Sequence, residues 1–114
     1  MGCESEYVLE IMEGETPTIL GEIIEPDGID LTMMSNVYFT IAQNPTKIRK
    51  DLSNGVTVID ATNFEVSLSQ EETLGLWGGY AECQLNGVYA DGSRAPTYVY
   101  KITVLRNLEP EVLP

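Results

Sequence analysis

The side chains that could do chemistry in this chain are almost all carboxylates. Its 114 residues include 18 Asp and Glu, two Cys and no His. The absence of His excludes Ser-His-Asp and Cys-His nucleophilic sets, His-ligated metals and the commonest general base. Cys3 and Cys83 are far apart, without the CxxC spacing of a zinc site. We therefore predict no enzyme activity and no catalytic, metal-binding or cofactor-binding residues.

Carboxylates alone leave two alternatives open. A pair of acids can hydrolyse glycosides, so a small carboxylate-dependent hydrolase remains a minor hypothesis. Asp27, Asp30 and Asp60 fall in predicted turns, where their oxygens could bind Ca²⁺, although the chain has no twelve-residue EF-hand pattern. Because most of the acids alternate outward on predicted strands or lie in turns, we interpret them mainly as solvated surface residues.

The net charge of -12 narrows the choice of partner. Nucleic acids and anionic membranes both recruit Lys and Arg, so we predict that the chain binds neither. Nine acidic residues precede the first basic one, Lys47. This distribution is typical of a soluble acidic surface, and it would also suit docking on a basic partner. No segment has the length of a transmembrane helix or the form of a signal peptide, which predicts a soluble protein.

One aromatic residue and one basic cluster are candidate contacts. Trp77, the single tryptophan, is followed by two glycines; it either caps the core or serves as an exposed interface anchor. Lys47, Arg49 and Lys50 form the only basic cluster, within an irregular stretch from 43 to 51 that we predict to be a surface loop. We predict Trp77, Lys47, Arg49 and Lys50 as the candidate interface.

Three of the tyrosines could belong either to a binding surface or to the core. Tyr89, Tyr98 and Tyr100, together with Trp77, could form a sugar-binding platform. The alternation of Tyr98 and Tyr100 with Ile102 and Val104 favours core positions for these two tyrosines instead. Cys3 and Cys83 do not have the spacing of a disulfide framework, and we predict that both are unbridged.

Turn signals recur about every ten residues, with two-residue alternation between them, which indicates β-strands. Seven strands are predicted, at 7–12, 16–25, 37–41, 56–60, 64–68, 80–85 and 97–105. The strand at 16–25 has apolar residues on both faces and is expected to be covered on both. Ser69 and Glu72 have capping-box spacing, which predicts one helical turn. Asn86-Gly87 and Asp91-Gly92 are predicted turns around a hairpin tip. The predicted core comprises Phe39, Ile41, Phe64, Val66, Leu68, Ile102 and Val104.

This count predicts an all-β, immunoglobulin-like antiparallel sandwich of about seven strands with one short helical turn. We expect a flexible N-terminus at 1–6, the sandwich at 7–106 and an extended acidic tail at 107–114. Association is expected through a sheet edge or one end of the sandwich.

The order of these features resembles a known group of phage proteins. The relevant segments are Glu13-Gly14-Glu15-Thr16, Asp27-Gly28, Ile29-Asp30-Leu31-Thr32, Val37-Tyr38-Phe39, 64–69, Gly79-Tyr80-Ala81-Glu82 and 98–104. They are similar to the N-terminal domain of bacteriophage upper baseplate proteins and to related immunoglobulin-like virion modules.

The resemblance implies a non-enzymatic structural or assembly protein of a phage or prophage particle, in its tail, baseplate or head-tail region. Such a protein is made in the bacterial cytoplasm, ends in the virion, and contacts other virion proteins or further copies of itself. The alternative is a carbohydrate-binding or protein-binding β-sandwich module of a bacterial surface or secreted assembly.

Overall fold

The computed structural model describes residues 9–23, 29–97 and 99–108. Within these ranges it contains one α-helix, α1 (Gln70–Leu74), and one 3-10 helix (Leu31–Met33). The strands are β1 (Leu9–Met12), β2 (Thr18–Glu22), β3 (Met34–Gln43), β4 (Thr46–Lys50), β5 (Val56–Val58), β6 (Asn63–Ser67), β7 (Gly79–Tyr89), β8 (Arg94–Pro96) and β9 (Tyr100–Leu105).

The strands form two packed sheets. Sheet A has the order β1-β9-β7-β3-β4, with β8 also paired to β7, and sheet B has the order β2-β6-β5. Strands β8 and β9 pair with successive parts of β7, so they act as one interrupted strand. Allocation of β2, β5 and β6 to one sheet and of β3, β4, β7 and β9 to the other is the immunoglobulin-like arrangement. The predicted all-β sandwich is confirmed, with nine strands among the described residues where about seven were predicted.

One strand pair departs from the predicted antiparallel pattern. Strand β1 runs parallel to β9, with Leu9 opposite Ile102 and Met12 opposite Leu105. The other strand pairs within the described ranges are antiparallel. Beyond β1, the Glu13 N–H donates to the carbonyl of Leu105, which extends the contact past the strand.

The core lies between the two sheets, and all seven predicted core residues are buried. Phe39 of sheet A and Phe64 of sheet B meet there, with ring centroids 6.1 Å apart. Gly21 lies directly opposite Phe64 on β2, and a Cβ atom at Gly21 would fall 2.2 Å from the Phe64 Cζ atom. The aromatic ring therefore occupies the space that any side chain at position 21 would need.

The predicted helical turn is also confirmed. The Ser69 hydroxyl accepts a hydrogen bond from the Glu72 N–H at 3.1 Å, and the Glu72 Oε1 atom accepts from the Ser69 N–H at 2.8 Å. This reciprocal pair satisfies two backbone donors at the start of α1. Thr73, buried on the same helix, donates its hydroxyl to the carbonyl of Glu15 at 2.6 Å and so fixes α1 against the β1–β2 connection.

The predicted surface loop at 43–51 is wrong. Residues Thr46–Lys50 form β4, which pairs with β3, and Asn44-Pro45 is the two-residue connection between the strands. This basic segment is a strand, and its inward residues are Ile48 and Lys50. Burial of Lys50 is possible only because its charge is compensated from elsewhere in the chain.

The predicted turn at Asn86-Gly87 is wrong as well. Both residues lie within β7, paired with Tyr38 and Val37 of β3. Gly87 provides room for a neighbouring side chain, since a Cβ atom there would lie 2.5 Å from the Met34 sulfur. The actual reversal occurs at Asp91-Gly92, where Gly92 has a φ of +90° and the Gly92 N–H donates to the Tyr89 carbonyl.

Two burial predictions are wrong. Leu20, expected to be covered, is 71% exposed, because sheet B has no layer on its outer side among the described residues. Tyr100 was expected in the core and is 39% exposed, at the start of β9. Ile24 and Tyr98, their predicted companions, lie outside the described residues.

The predicted terminal segments fall largely outside the described residues, which omit 1–8 and 109–114. Asn107, placed by prediction in the tail, contacts the sandwich: its backbone N–H donates to the Glu13 Oε1 atom at 3.0 Å and its side chain donates to the Glu13 carbonyl at 2.8 Å. In the part of the chain that the structure describes, no helix has the length and apolar character needed to cross a bilayer.

Candidate interaction surface

The side of sheet A that faces away from sheet B is termed here the outer face of sheet A. Its side chains alternate along each strand with the buried ones. Polar residues such as Thr40, Gln84 and Asn86 occupy its centre. Its charged and aromatic members are Glu10, Tyr38, Lys47, Arg49, Tyr80, Glu82, Arg94 and Lys101.

The charge of this face is opposite to that of the chain as a whole. All six basic residues of the protein fall within the described ranges, and four of them lie on the outer face of sheet A beside two acidic residues. The strands of sheet B contain Glu22 and Glu65 and no Lys or Arg. Folding therefore separates the charges, which the linear sequence does not reveal.

Local contacts hold three of these cations in position. The Arg49 guanidinium carbon lies 5.4 Å from the centre of the Tyr38 ring, and the Lys101 ammonium lies 5.7 Å from the centre of the Tyr80 ring. Arg94 donates to the Asn86 side-chain oxygen at 3.3 Å. Cation–π contacts orient a cation over a ring and leave its net charge in place.

None of the four outer-face cations is neutralised by an ion pair among the described residues. The single ion pair found there joins Lys50 and Glu72, which lie on the inner side of sheet A and on α1. Lys47, Arg49, Arg94 and Lys101 thus present charge that an acidic partner can reach. Exposed charge of one sign on a protein face attracts a partner of opposite charge.

Gln43 fixes the corner that carries Trp77. Its buried side-chain amide donates to the carbonyls of Trp77 and Tyr80 at 2.8 and 3.3 Å, and its oxygen accepts from the Trp77 N–H at 2.8 Å. The Thr46 hydroxyl donates to the Gly75 carbonyl at 3.0 Å and ties the same corner to β4. The Trp77 side chain is 42% exposed, which favours the anchor interpretation over the core-cap interpretation.

Of the four predicted contacts, Trp77, Lys47 and Arg49 are exposed and Lys50 is not. Trp77 adjoins the end of β3 through Gln43, and Lys47 and Arg49 lie on the outward side of β4. Lys50 faces inward, where its side chain is 6% exposed and its ammonium lies 2.9 Å from both Glu72 carboxylate oxygens. Its neighbour in sequence, Arg49, faces outward because successive residues of a strand alternate between faces.

Several contributors to the surface were not predicted. Tyr80 is 71% exposed and stands beside Lys101. Alternation along β9, in which Ile102 and Val104 are inward, already places Lys101 outward. The same reasoning applied to Val37, Phe39 and Ile41 places Gln43 inward, an unusual position for an amide and the available signal of its role.

Metal-ligating side chains are dispersed among the described residues. These residues contain no cluster of three or more His, Cys, Asp or Glu positioned for a metal ion. Asp30 accepts from the Thr32 backbone and hydroxyl, at 3.0 and 2.6 Å. Hydrogen bonds from the Thr62 N–H and the Asn63 side chain hold the pKa of Asp60 below its usual value. Asp27, the third residue of the calcium hypothesis, lies outside the described residues.

Cys83 is a free thiol on the inner side of β7, and its burial raises the pKa of the thiol to about 11. Cys3, the other cysteine, lies outside the described residues. Since only the thiolate reacts rapidly with disulfide reagents, Cys83 should be chemically inert in the folded protein.

We expect a Cys3→Ser variant, whose one remaining thiol is Cys83, to react with a colorimetric disulfide reagent at pH 8 roughly one hundred times more slowly when folded than when unfolded in urea. The same titration of the unmodified chain, unfolded without reductant, should give two thiols per chain. Equal rates for the folded and unfolded variant would show that Cys83 is accessible.

Comparisons with protein-family models, with curated proteins and with solved structures find no match for this chain. Function is therefore inferred from the surface itself. Its main features are the unpaired cations of the outer face of sheet A, the aromatic rings beside them and the Trp77 corner.

Proposed function

We propose that this chain is a non-catalytic docking module, a structural part of a phage or prophage particle, that binds a partner protein through the outer face of sheet A. One observation supports this most strongly. Four cations that form no ion pair with any described carboxylate share one sheet face of a protein whose net charge is -12. Complementary charge at an interface speeds encounter and excludes wrong partners.

The composition of this face also suits protein recognition. Tyr, Trp and Arg dominate interface hot spots, because they combine large apolar area with hydrogen-bonding groups. Tyr38 with Arg49 and Tyr80 with Lys101 supply these types on one sheet face, and Trp77 lies at the end of β3. Regular strands carry most of them, so a partner meets side chains whose positions are already restricted, and less ordering is needed on binding.

The particle role rests on the strand and turn order described above. An immunoglobulin-like sandwich suits a repeated structural part, since its two faces are available for contacts while the core keeps it rigid. Many unrelated functions share this architecture, and the assignment to a particle therefore depends on partner binding rather than on fold.

Carbohydrate binding is the second candidate, favoured by the exposure of Tyr80 and Trp77 near one end of the sandwich. Sugars stack on aromatic faces, and both rings could serve this purpose. The Lys101 ammonium already stands over the Tyr80 ring, however, which restricts the face that a sugar would use. Protein docking accounts for the cations as well as for the rings.

We expect Lys47→Gln combined with Arg49→Gln to weaken binding to the products of neighbouring genes at least tenfold, because the charge that complements the partner is lost. The measurement is biolayer interferometry against each purified product at 0.15 M salt. The control, Met33→Glu with Ile59→Glu, changes the net charge equally at two residues that are more than half exposed outside sheet A. Its binding should remain within twofold of that of the unmodified chain.

Equal weakening by both variants would mean that net charge matters and the face does not. If no neighbouring product binds and a glycan array gives a defined hit that Tyr80→Ala abolishes, the carbohydrate hypothesis replaces the docking proposal.

A further inference from the structure

The outer face of sheet B, defined as the side of β2, β5 and β6 that faces away from sheet A, complements the outer face of sheet A. Glu22 and Glu65 supply its charge, and its strands contain no Lys or Arg. Leu20 is the outward residue next to Glu22 on β2, and it lies directly opposite Glu65 of β6 in the strand register. It is 71% exposed. An apolar side chain flanked by carboxylates is thus presented on a regular sheet surface.

The two outer faces lie on opposite sides of one sandwich and differ in charge. Two outer faces of sheet A brought together would place the unpaired cations Lys47, Arg49 and Lys101 against one another. Two outer faces of sheet B would oppose Glu22 and Glu65. With four cations and the two carboxylates of Glu10 and Glu82, the outer face of sheet A is positive overall, so only a contact between unlike faces joins surfaces of opposite net charge.

We propose that the outer face of sheet A on one copy binds the outer face of sheet B on a second copy, head to tail. The inference deepens the docking function proposed above and rests on it: the partner is another copy of this chain. Leu20 and the two carboxylates of sheet B would face the exposed tyrosines and cations of sheet A. In a head-to-tail row of copies, the first and the last copy each keep one unoccupied face. The row therefore grows into a filament or closes into a ring.

The overall charge opposes this contact without preventing it. Copies carrying -12 each repel at a distance, but at physiological ionic strength interactions between exposed charges separated by more than roughly 8 Å are largely screened. Charges in direct contact across the two faces are screened much less. Assembly should therefore be weak in dilute solution and rise with concentration.

Two blocked variants test the head-to-tail contact. The first, Lys47→Glu with Arg49→Glu, blocks the outer face of sheet A; the second, Leu20→Gln with Glu22→Gln, blocks the outer face of sheet B. All four residues are exposed, so folding should be preserved, as checked by circular dichroism. Lys101→Glu and Glu65→Gln are replacement variants for either face if one of the pairs does not fold.

Sedimentation velocity over a concentration series at 0.15 M salt is the measurement. We expect the unmodified chain to form species larger than dimers, and each blocked variant to raise the apparent dissociation constant at least tenfold. A mixture of the two blocked variants should form a one-to-one dimer and nothing larger. In that dimer the intact sheet A face of the second variant meets the intact sheet B face of the first.

Other results would overturn the inference. A dimer that the sheet B variant leaves intact indicates contact between two like faces. A strict monomer at all concentrations excludes self-association. If that monomer still binds a neighbouring gene product in a manner sensitive to Lys47 and Arg49, the docking function stands and only the head-to-tail contact fails.

Discussion

Phe64→Ala should remove a large part of the free energy of unfolding while leaving the protein folded in the absence of denaturant. The Phe64 ring is buried between the sheets, contacts Phe39 and covers Gly21. Removal of a buried aromatic side chain costs about 3 to 5 kcal/mol, and the whole stability of such a domain is about 5 to 15 kcal/mol. Urea denaturation followed by tryptophan fluorescence measures the loss, with Phe64→Leu as the milder control.

Gly21 provides an internal check on this prediction. In the unmodified protein, Gly21→Ala places a methyl group where the Phe64 ring lies and should destabilise the fold. In the Phe64→Ala background the ring is absent, and the same change should have little effect. Equal destabilisation in both backgrounds would contradict the proposed packing of the ring on Gly21.

Glu72→Gln should reduce the free energy of unfolding by about 3 kcal/mol, because it leaves the Lys50 ammonium buried without a counter-charge. Gln retains a side-chain oxygen for the Ser69 N–H, so the capping box survives and the ion pair alone is tested. The matched control is the double variant Lys50→Met with Glu72→Gln, which removes both charges and should recover stability to within about 1 kcal/mol of the unmodified protein. A double variant as unstable as the single one would contradict this account.

The same ion pair predicts a dependence on pH. Burial by itself would raise the pKa of Glu72, but hydrogen bonds from Lys50 and from the Ser69 N–H outweigh it, and the pKa of Glu72 is lowered overall. A carboxylate with a lowered folded-state pKa contributes stability above its unfolded-state pKa and loses it as the pH falls through the folded-state pKa. Urea denaturation between pH 7 and pH 3 should therefore show an acid loss that is smaller in Glu72→Gln.

Two-residue alternation was sufficient to predict much of the core. Phe39 and Ile41 on β3, Phe64 and Val66 on β6, and Ile102 on β9 all face inward as expected. Such patterns are informative when one face of a strand is apolar and the other polar, because register then decides burial. The capping box at Ser69 was equally local, and it too was predictable.

Strand β4 escaped prediction because its inward position 50 holds a lysine. The charge of Lys50 is compensated by Glu72, which lies 22 residues further along the chain. A local sequence pattern cannot show a contact between residues so far apart. Leu20 gave the opposite error: an apolar residue in a strand reads as buried, yet nothing among the described residues covers it. Both errors concern tertiary contacts. Lys50 has a partner on another element, whereas Leu20 has no covering layer among the described residues.

The interaction surface was partly predictable for a related reason. Trp77, Lys47 and Arg49 stood out by type, and all three are exposed. Lys101 and Tyr80 come from strands joined only by the β7–β9 pairing, so their proximity requires the sheet register. Segregation of the cations on one face likewise follows from strand order and not from sequence neighbourhood.

The parallel pairing of β1 with β9 sets how the domain responds to mechanical tension. Both strands run in the same direction, so chain entering at Leu9 and chain leaving at Leu105 depart from opposite ends of the sandwich. A force along the chain then slides β1 against β9 and loads their hydrogen bonds in shear, together rather than one after another. The rate of forced unfolding is set by the free-energy barrier to rupture. Under shear, all the hydrogen bonds between β1 and β9 contribute to that barrier.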